Sequence, residues 1–188
     1  IKLAFLIGQY GTGGKEKQLT EIIQQMPKDR YEIFLFMKND TSYLFNTINC
    51  DLTSYYSLNK DNFNLFDIFE LKRFFISTKP DTVFSLSKIL SHFSLLLKYI
   101  FLFEYRLING SIRDAPLHLS PYMKFEKRMY SIYNEVVANS KAGLNAYNQA
   151  GKKGRYVLYN GFVSNRIPKS SINQLKQKLK IDERFMIV

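Results

Sequence analysis

Two short segments hold the residues best suited to chemistry. The first is GQYGTGG, Gly8 to Gly14, followed directly by Lys15 and Glu16. Glycines let a backbone lie close to a ligand, and a helix starting here turns free N–H groups and a positive dipole end toward an anion. The segment is not a P-loop, because Gly14 and Lys15 are followed by Glu16 rather than Ser or Thr. It also misses the dinucleotide fingerprint, in which Gly11 and Gly13 would require a glycine at position 16. A tight connection needing glycine for geometry alone is the simpler alternative. Lys15 is either a ligand contact or a solvated helix side chain, and Glu16 either a ligand contact or a favourable charge in a first helical turn. The second segment is INGSIRDAP, Ile108 to Pro116, with His118 just beyond. The Arg113 guanidinium suits bidentate binding of phosphate or carboxylate, Asp114 can orient it, and the alternative is an ordinary surface charge pair.

Other reactive side chains are sparse. His92 lies among Phe93 and Leu95 to Leu97, the setting of a packed, hydrogen-bonded histidine rather than a catalytic one. Cys50 has no paired base in any recognisable motif and reads as a small buried hydrophobe. One cysteine forbids an internal disulfide, and with only two histidines no zinc spacing is complete, so no structural metal is expected.

These residues must be held by a scaffold. The chain has 188 residues, 46% hydrophobic and 23% charged, the composition of a soluble globular domain. The runs Lys2 to Ile7, Ile33 to Met37, Thr82 to Leu86, Arg106 to Ile108, Val136 to Ala138 and Tyr156 to Tyr159 are short and nearly continuous in apolar character, as strands buried on both faces are. Between them, Lys15 to Met26, Asn64 to Ser77, Ser87 to Phe103 and Pro121 to Tyr133 carry apolar residues at helical spacing. The alternation predicts an α/β, Rossmann-like, doubly wound parallel sheet flanked by helices, with ligands at the carboxyl ends of its strands.

Four segments in order resemble one family. GGKEKQLTEIIQQM, Gly13 to Met26, is similar to the Gly-Gly-x-Glu opening of the first helix of GT4-type (group 1) retaining glycosyltransferases, which have the GT-B fold. KPDTVFSLS, Lys79 to Ser87, resembles their Pro-Asp-hydrophobic strand; VVANSKAGLNAYNQAG, Val136 to Gly151, their strand, turn and helix; and RYVLYNGFV, Arg155 to Val163, the segment before the second domain. The resemblance implies an N-terminal, acceptor-side domain over residues 1–165. It also implies a linker and the onset of a donor-binding domain over 166–188, with Asn160 and Gly161 at the interdomain hinge.

By the same resemblance, the parent enzyme would transfer a sugar from a UDP- or GDP-sugar to a polysaccharide, glycolipid or lipid-linked acceptor, with no other cofactor. Gly13 and Gly14 would let the acceptor or donor diphosphate lie against the backbone, and Asp114 would accept a sugar hydroxyl. Ser140 matches the family's strand-end serine, for which capping of the next helix is the alternative role. Ser85 and Ser87 depart from the pattern where many relatives carry histidines, which removes those histidine roles here. The Glu-x7-Glu motif of the second domain is not in this sequence. Ile1 is no initiator methionine and Phe185 to Val188 begin an apolar run that stops, so the chain is expected to be a fragment.

Charge points to anionic partners. The net charge is +11, and Lys124, Lys127 and Arg128 share a helical face opposite Tyr122, Phe125 and Met129. A basic stripe beside an apolar one suits an anionic bilayer surface; a solvated helix face packed in the ordinary way is the alternative. Nucleic acid is disfavoured, because no aromatic-interleaved recognition motif is present. The uncharged stretch Ile89 to Leu97 falls far short of the roughly 20 residues needed to span a bilayer. IKLAFLIG lacks a secretory cleavage site and reads as a buried strand, so the expected location is cytoplasmic, at most peripheral to the inner face of a membrane. The function class that competes with a transferase is a non-enzymatic α/β module binding anions or nucleic acid.

Overall fold

Apolar side chains on β1 (Lys2–Gln9) and β2 (Glu32–Asn39) are buried on both sides, and their alternation divides the core in two. Ala4, Leu6, Phe34 and Phe36 point to one cluster, while Phe5, Ile7, Ile33, Leu35 and Met37 point to the other, as a period of two requires. A computed structural model of the chain, described over residues 1–39, 43–161 and 177–178, completes the sheet with β3 (Ser54–Ser57), β4 (Thr82–Ser85), β5 (Arg106–Ile112), β6 (Glu135–Ala138) and β7 (Arg155–Val157). The strands are parallel, in the order β3-β2-β1-β4-β5-β6-β7. The order reverses between β1 and β4, whose carboxyl ends flank the crevice where an open parallel sheet binds ligands.

α1 (Gly14–Gln25) and α2 (Tyr43–Asn46) cover one face through Leu19, Ile23, Leu44 and Phe45. α3 (Asp67–Thr78), α4 (Lys88–Ile100), α5 (Pro121–Tyr130) and α6 (Lys141–Ala146) all pack on the other. From β4 onward the chain steps one way across the sheet, so those connections share a face. Among the described residues, the α1 face over β4 and β5 is therefore not fully covered by helices. An apolar groove of about 360 Å³ lies there, with Phe5, Phe84, Ile108 and Leu158 among its walls.

Among the described residues seven strands stand where six were expected. The additional one, β3, is an edge strand with exposed Tyr55 and Tyr56 and no apolar run to announce it. β5 continues to Ile112 rather than stopping at Ile108, because Asn109, Gly110 and Ser111 are buried despite their weak strand preference. That extension sets Arg113 and Asp114 directly at a strand end. α4 stops at Ile100 rather than Phe103, with Leu102 in the left-handed region at φ 55°. β7 ends at Val157 rather than Tyr159. α5 ends at Tyr130 rather than Tyr133. The expected linker and second-domain onset over 166–188 lie outside the described residues, apart from helical Gln177 and Lys178.

α5 also departs from expectation in orientation. Its buried residues are Glu126 and Tyr130, whereas Tyr122 and Phe125, expected to pack, are 54% and 52% exposed. The cause lies in α4. His92 Nε2 pairs with Glu126 Oε1 at 3.0 Å and His92 Nδ1 with the Tyr133 hydroxyl at 2.9 Å, which turns the acidic side of α5 inward. Burial raises the Glu126 pKa, but His92, Tyr122 and Lys88 outweigh it and hold the carboxyl below its ordinary value. His92 is thus the packed, hydrogen-bonded residue its apolar surroundings suggest. Cys50, expected to be buried, is exposed, because the 3-10 turn that carries it (Asn49–Asp51) buries none of its residues.

Candidate functional site

The glycine loop is anchored from below. Tyr10 is fully buried, its N–H donates to the Asn39 carbonyl at 3.0 Å, and its hydroxyl lies 2.8 Å from Thr20 Oγ1. Burial pushes the Tyr10 pKa up to about 12, so the ring is a neutral post that fixes where the loop meets α1. Gly13 is the N-cap of α1 in extended backbone and, having no side chain, makes no cap bond of its own. α4 starts at Ser87 with no side-chain cap either. By contrast α5 and α6 are closed by their own serines: Ser120 accepts from Met123 N at 3.3 Å and Ser140 from Gly143 N at 3.0 Å. In α1 and α4, the helices that begin beside the β1/β4 crevice, the N-cap residue itself makes no side-chain cap bond.

Cations converge on the same place. A cavity of about 420 Å³ is lined by Lys15 from α1, Ser87, Lys88 and Ile89 from the start of α4, Ser111, Arg113 and Asp114 from the end of β5, and Tyr122 from α5. A second, of about 670 Å³, lies over Gln9 and Gly11 to Glu16, and Lys15 borders both. Arg113 donates from Nη1 to Gln18 Oε1, while its buried Nε finds no partner among the described residues. Burial lowers the Arg113 pKa and the nearby Glu16 charge partly restores it. Glu16 itself is buried, with Oε1 3.5 Å from Lys15 Nζ. Asp114 accepts from the Tyr147 hydroxyl at 3.0 Å, and Lys88 Nζ stands 5.5 Å over the Tyr122 ring. Lys15, Lys88 and Arg113 against Glu16 and Asp114 leave the cleft net positive, which suits an anionic ligand.

Of the residues picked from sequence, Arg113 and Asp114 line the first cavity, Gly13, Gly14 and Glu16 the second, and Lys15 borders both. His118 lies in the exposed β5–α5 connection and lines neither cavity. Ser140 is the cap of α6 and lines neither. Asn160 and Gly161 follow β7 past α1, where Gln18 Nε2 reaches the Tyr159 carbonyl at 3.5 Å. Sequence reasoning missed Lys88, which the strand-end rule applied to β4 would have found, and Gln18, whose bridge from Arg113 to Tyr159 leaves no local signal. The apolar groove on the α1 face is poorly equipped for chemistry, since its side-chain cation, Arg106, is already held by both Glu135 oxygens.

No family model matches the chain, and no curated protein matches it by sequence. Solved structures do match in fold. Anabaena Alr3699/HepE in complex with UDP and glucose superposes with a TM-score of 0.66 at 20% identity, over 96% of this chain and 50% of that one. A glycosyltransferase from Rickettsia africae gives 0.64 at 14% identity, over 97% and 50%. The UDP-GlcNAc 2-epimerase from Neisseria meningitidis bound to UDP-GlcNAc gives 0.58 at 14%, over 85% and 47%. The chain thus spans about half the length of the structures it matches. Its seven-stranded parallel sheet with flanking helices is the Rossmann-like half of a GT-B fold.

Proposed function

We propose that this chain is the N-terminal, acceptor-side domain of a GT4-type retaining glycosyltransferase that moves a sugar from a UDP- or GDP-sugar to a polysaccharide, glycolipid or lipid-linked acceptor. The observation that carries the reading is one cleft, at the point where strand order reverses, on which the starts of α1 and α4 converge with Lys15, Lys88 and Arg113. Glycosyl transfer releases a nucleoside diphosphate, so charge grows on the leaving oxygens. Fixed N–H dipoles and cations are the groups that stabilise such charge without reorganising. Gly13 and Gly14 present bare backbone to the ligand, Asp114 accepts a hydroxyl from the acceptor, and Asn160 and Gly161 lead to the donor-binding domain. This chain supplies positioning and electrostatics; no nucleophile or general base is assigned within it.

The test is turnover. The full-length protein should transfer radiolabelled sugar from one of the UDP- or GDP-sugars to a lipid or glycan acceptor, while the 188-residue chain alone should not. Transfer by the isolated chain would overturn the half-enzyme reading. Epimerisation of the donor sugar without transfer would place the protein with the epimerases that share the fold.

We further propose that the enzyme works at the cytoplasmic face of a membrane, resting on the outer surface of α4 and α5. Exposed Tyr122 and Phe125 lie there beside Lys124 and Arg128, and lysines near an anionic surface contribute about 1 kcal/mol each. Vesicle flotation should show binding that rises with the fraction of anionic lipid and falls with salt. Equal binding to neutral and anionic vesicles would rule this out.

A further inference from the structure

We propose that two copies of this protein associate across a two-fold axis at the amino-terminal end of the sheet, where Leu102 of each copy enters an apolar pocket on the other. The surface is separate from the cleft and does not depend on sugar transfer.

Two connections meet at that end. Lys79 to Asp81 join α3 to β4, and Phe101 to Tyr105 join α4 to β5. A pocket of about 420 Å³ opens between them, with Phe75 and Ile76 of α3 in its wall. Leu102 borders it, 81% exposed and in the left-handed region. It directly follows Phe101, the C-cap of α4, at the position where glycine takes this backbone without strain. Among the described residues, four other than glycine have positive φ, and two of them are asparagines, which tolerate it. The other two, Leu102 and Lys79 at φ 47°, both border this pocket. The sequence thus holds a leucine out into water in a conformation that costs it strain. Local stability accounts for neither feature, whereas burial of Leu102 against a second surface accounts for both.

Shape and charge select a second copy as that surface. An isologous contact places the same patch on both sides, so a projection beside a depression fits itself. Exposed Ile76 and Phe101 line the pocket with Leu102 and supply the apolar centre of such a contact. The chain carries +11 overall, yet this rim is mixed. Lys72 is held over the Phe101 ring, 4.0 Å from its centroid, while exposed Lys79 and Glu104 form no ion pair among the described residues. A two-fold brings the cation of each copy toward the carboxylate of the other, whereas an anionic bilayer calls for cations alone. Position agrees as well. The described chain leaves β7 at its carboxyl end and runs past α1 to Gly161, on the cleft side of the sheet. The pocket lies at the amino ends of β4 and β5, so contact there leaves both clefts open.

Sedimentation velocity of the full-length protein in lipid-free buffer, over a hundredfold range of concentration, tests this. A reversible monomer–dimer equilibrium is expected. Leu102→Glu should weaken it at least about tenfold, roughly 1.4 kcal/mol. Leu102→Gly guards against a folding defect: it removes the projection and relieves the backbone, so it should weaken the dimer by a similar factor while the monomer, melted at a dilution where no dimer remains, melts no lower than the unaltered protein. Phe125→Ser, on the outer face of α5, should leave dimerisation unchanged. A protein that stays monomeric across the range would overturn the proposal, and so would a dimer that survives Leu102→Gly or one that Phe125→Ser dissolves. Growth into open-ended oligomers would overturn the two-fold arrangement. A monomer whose binding to anionic vesicles is abolished by Leu102→Glu would assign the patch to a bilayer instead.

Discussion

Replacing Gly14 by valine in the full-length protein is expected to lower sugar transfer at least about tenfold, roughly 1.4 kcal/mol on the barrier, with almost no change in melting temperature. The separation of the two effects comes from the backbone. Gly14 is the first residue of α1, has no left-handed φ, and a Cβ built on it meets nothing within 4 Å. Valine is no worse than glycine in a helix and on host scales better by a few tenths of a kcal/mol, so the fold has no reason to object. The added methyl groups can only enter the open space over Gln9 to Glu16, where the ligand would lie. Gly13 cannot make the same distinction, since its Cβ would stand 2.6 Å from Glu16 Oε2 and force the buried carboxylate to move. Transfer and melting measured on one preparation settle it: unchanged transfer, or transfer lost only in step with unfolding, would remove the loop from the site.

The largest stability effect is expected at Gly154. Its φ is +73°, and a Cβ there would fall 2.1 Å from the Asn134 carbonyl oxygen, a backbone atom at the start of β6. That segment cannot yield easily. Val136 N–H donates to the Gly154 carbonyl at 2.9 Å, and Arg155 binds Asn134 O at 3.1 Å and Tyr130 O at 2.8 Å. Gly154→Ala should therefore cost about 3 kcal/mol or more, which lowers the melting temperature by roughly 6 to 12 °C in a chain of this size. Gly151→Ala is the internal control. Gly151 has nearly the same φ, +74°, but open space around its Cβ, so it should cost only the left-handed backbone, about 1 kcal/mol. Equal melting shifts for the two variants would show that the contact with Asn134 does not govern the loss.

Much of the scaffold is legible along the chain because burial leaves a local periodicity. Ala4 to Ile7 and Ile33 to Met37 are apolar without interruption, as strands covered on both sides are. The glycines and the lysine that open α1 are legible for the same reason, since a strand end, glycines and a helix start follow one another directly. What depends on neighbours far away is not. β3 exists because β2 offers it a parallel partner, Met37 opposite Ser57, and Ser-Tyr-Tyr-Ser alone carries no strand pattern. Asn109 is held between Ser85 of β4 and Val136 of β6, and after a register shift the β6 ladder resumes at Ile112, which carries the strand through residues of weak preference. The inverted face of α5 depends on His92, which lies 34 residues before Glu126. The cleft is the extreme case. Lys15, Lys88 and Arg113 each stand just beyond a strand end, which their own segments reveal. That β1, β4 and β5 are adjacent, so that those ends face one cavity and Gln18 can hold Arg113 across 95 positions, is a property of strand order. Strand order is set by which crossovers bury the most surface together, and no single segment carries that information.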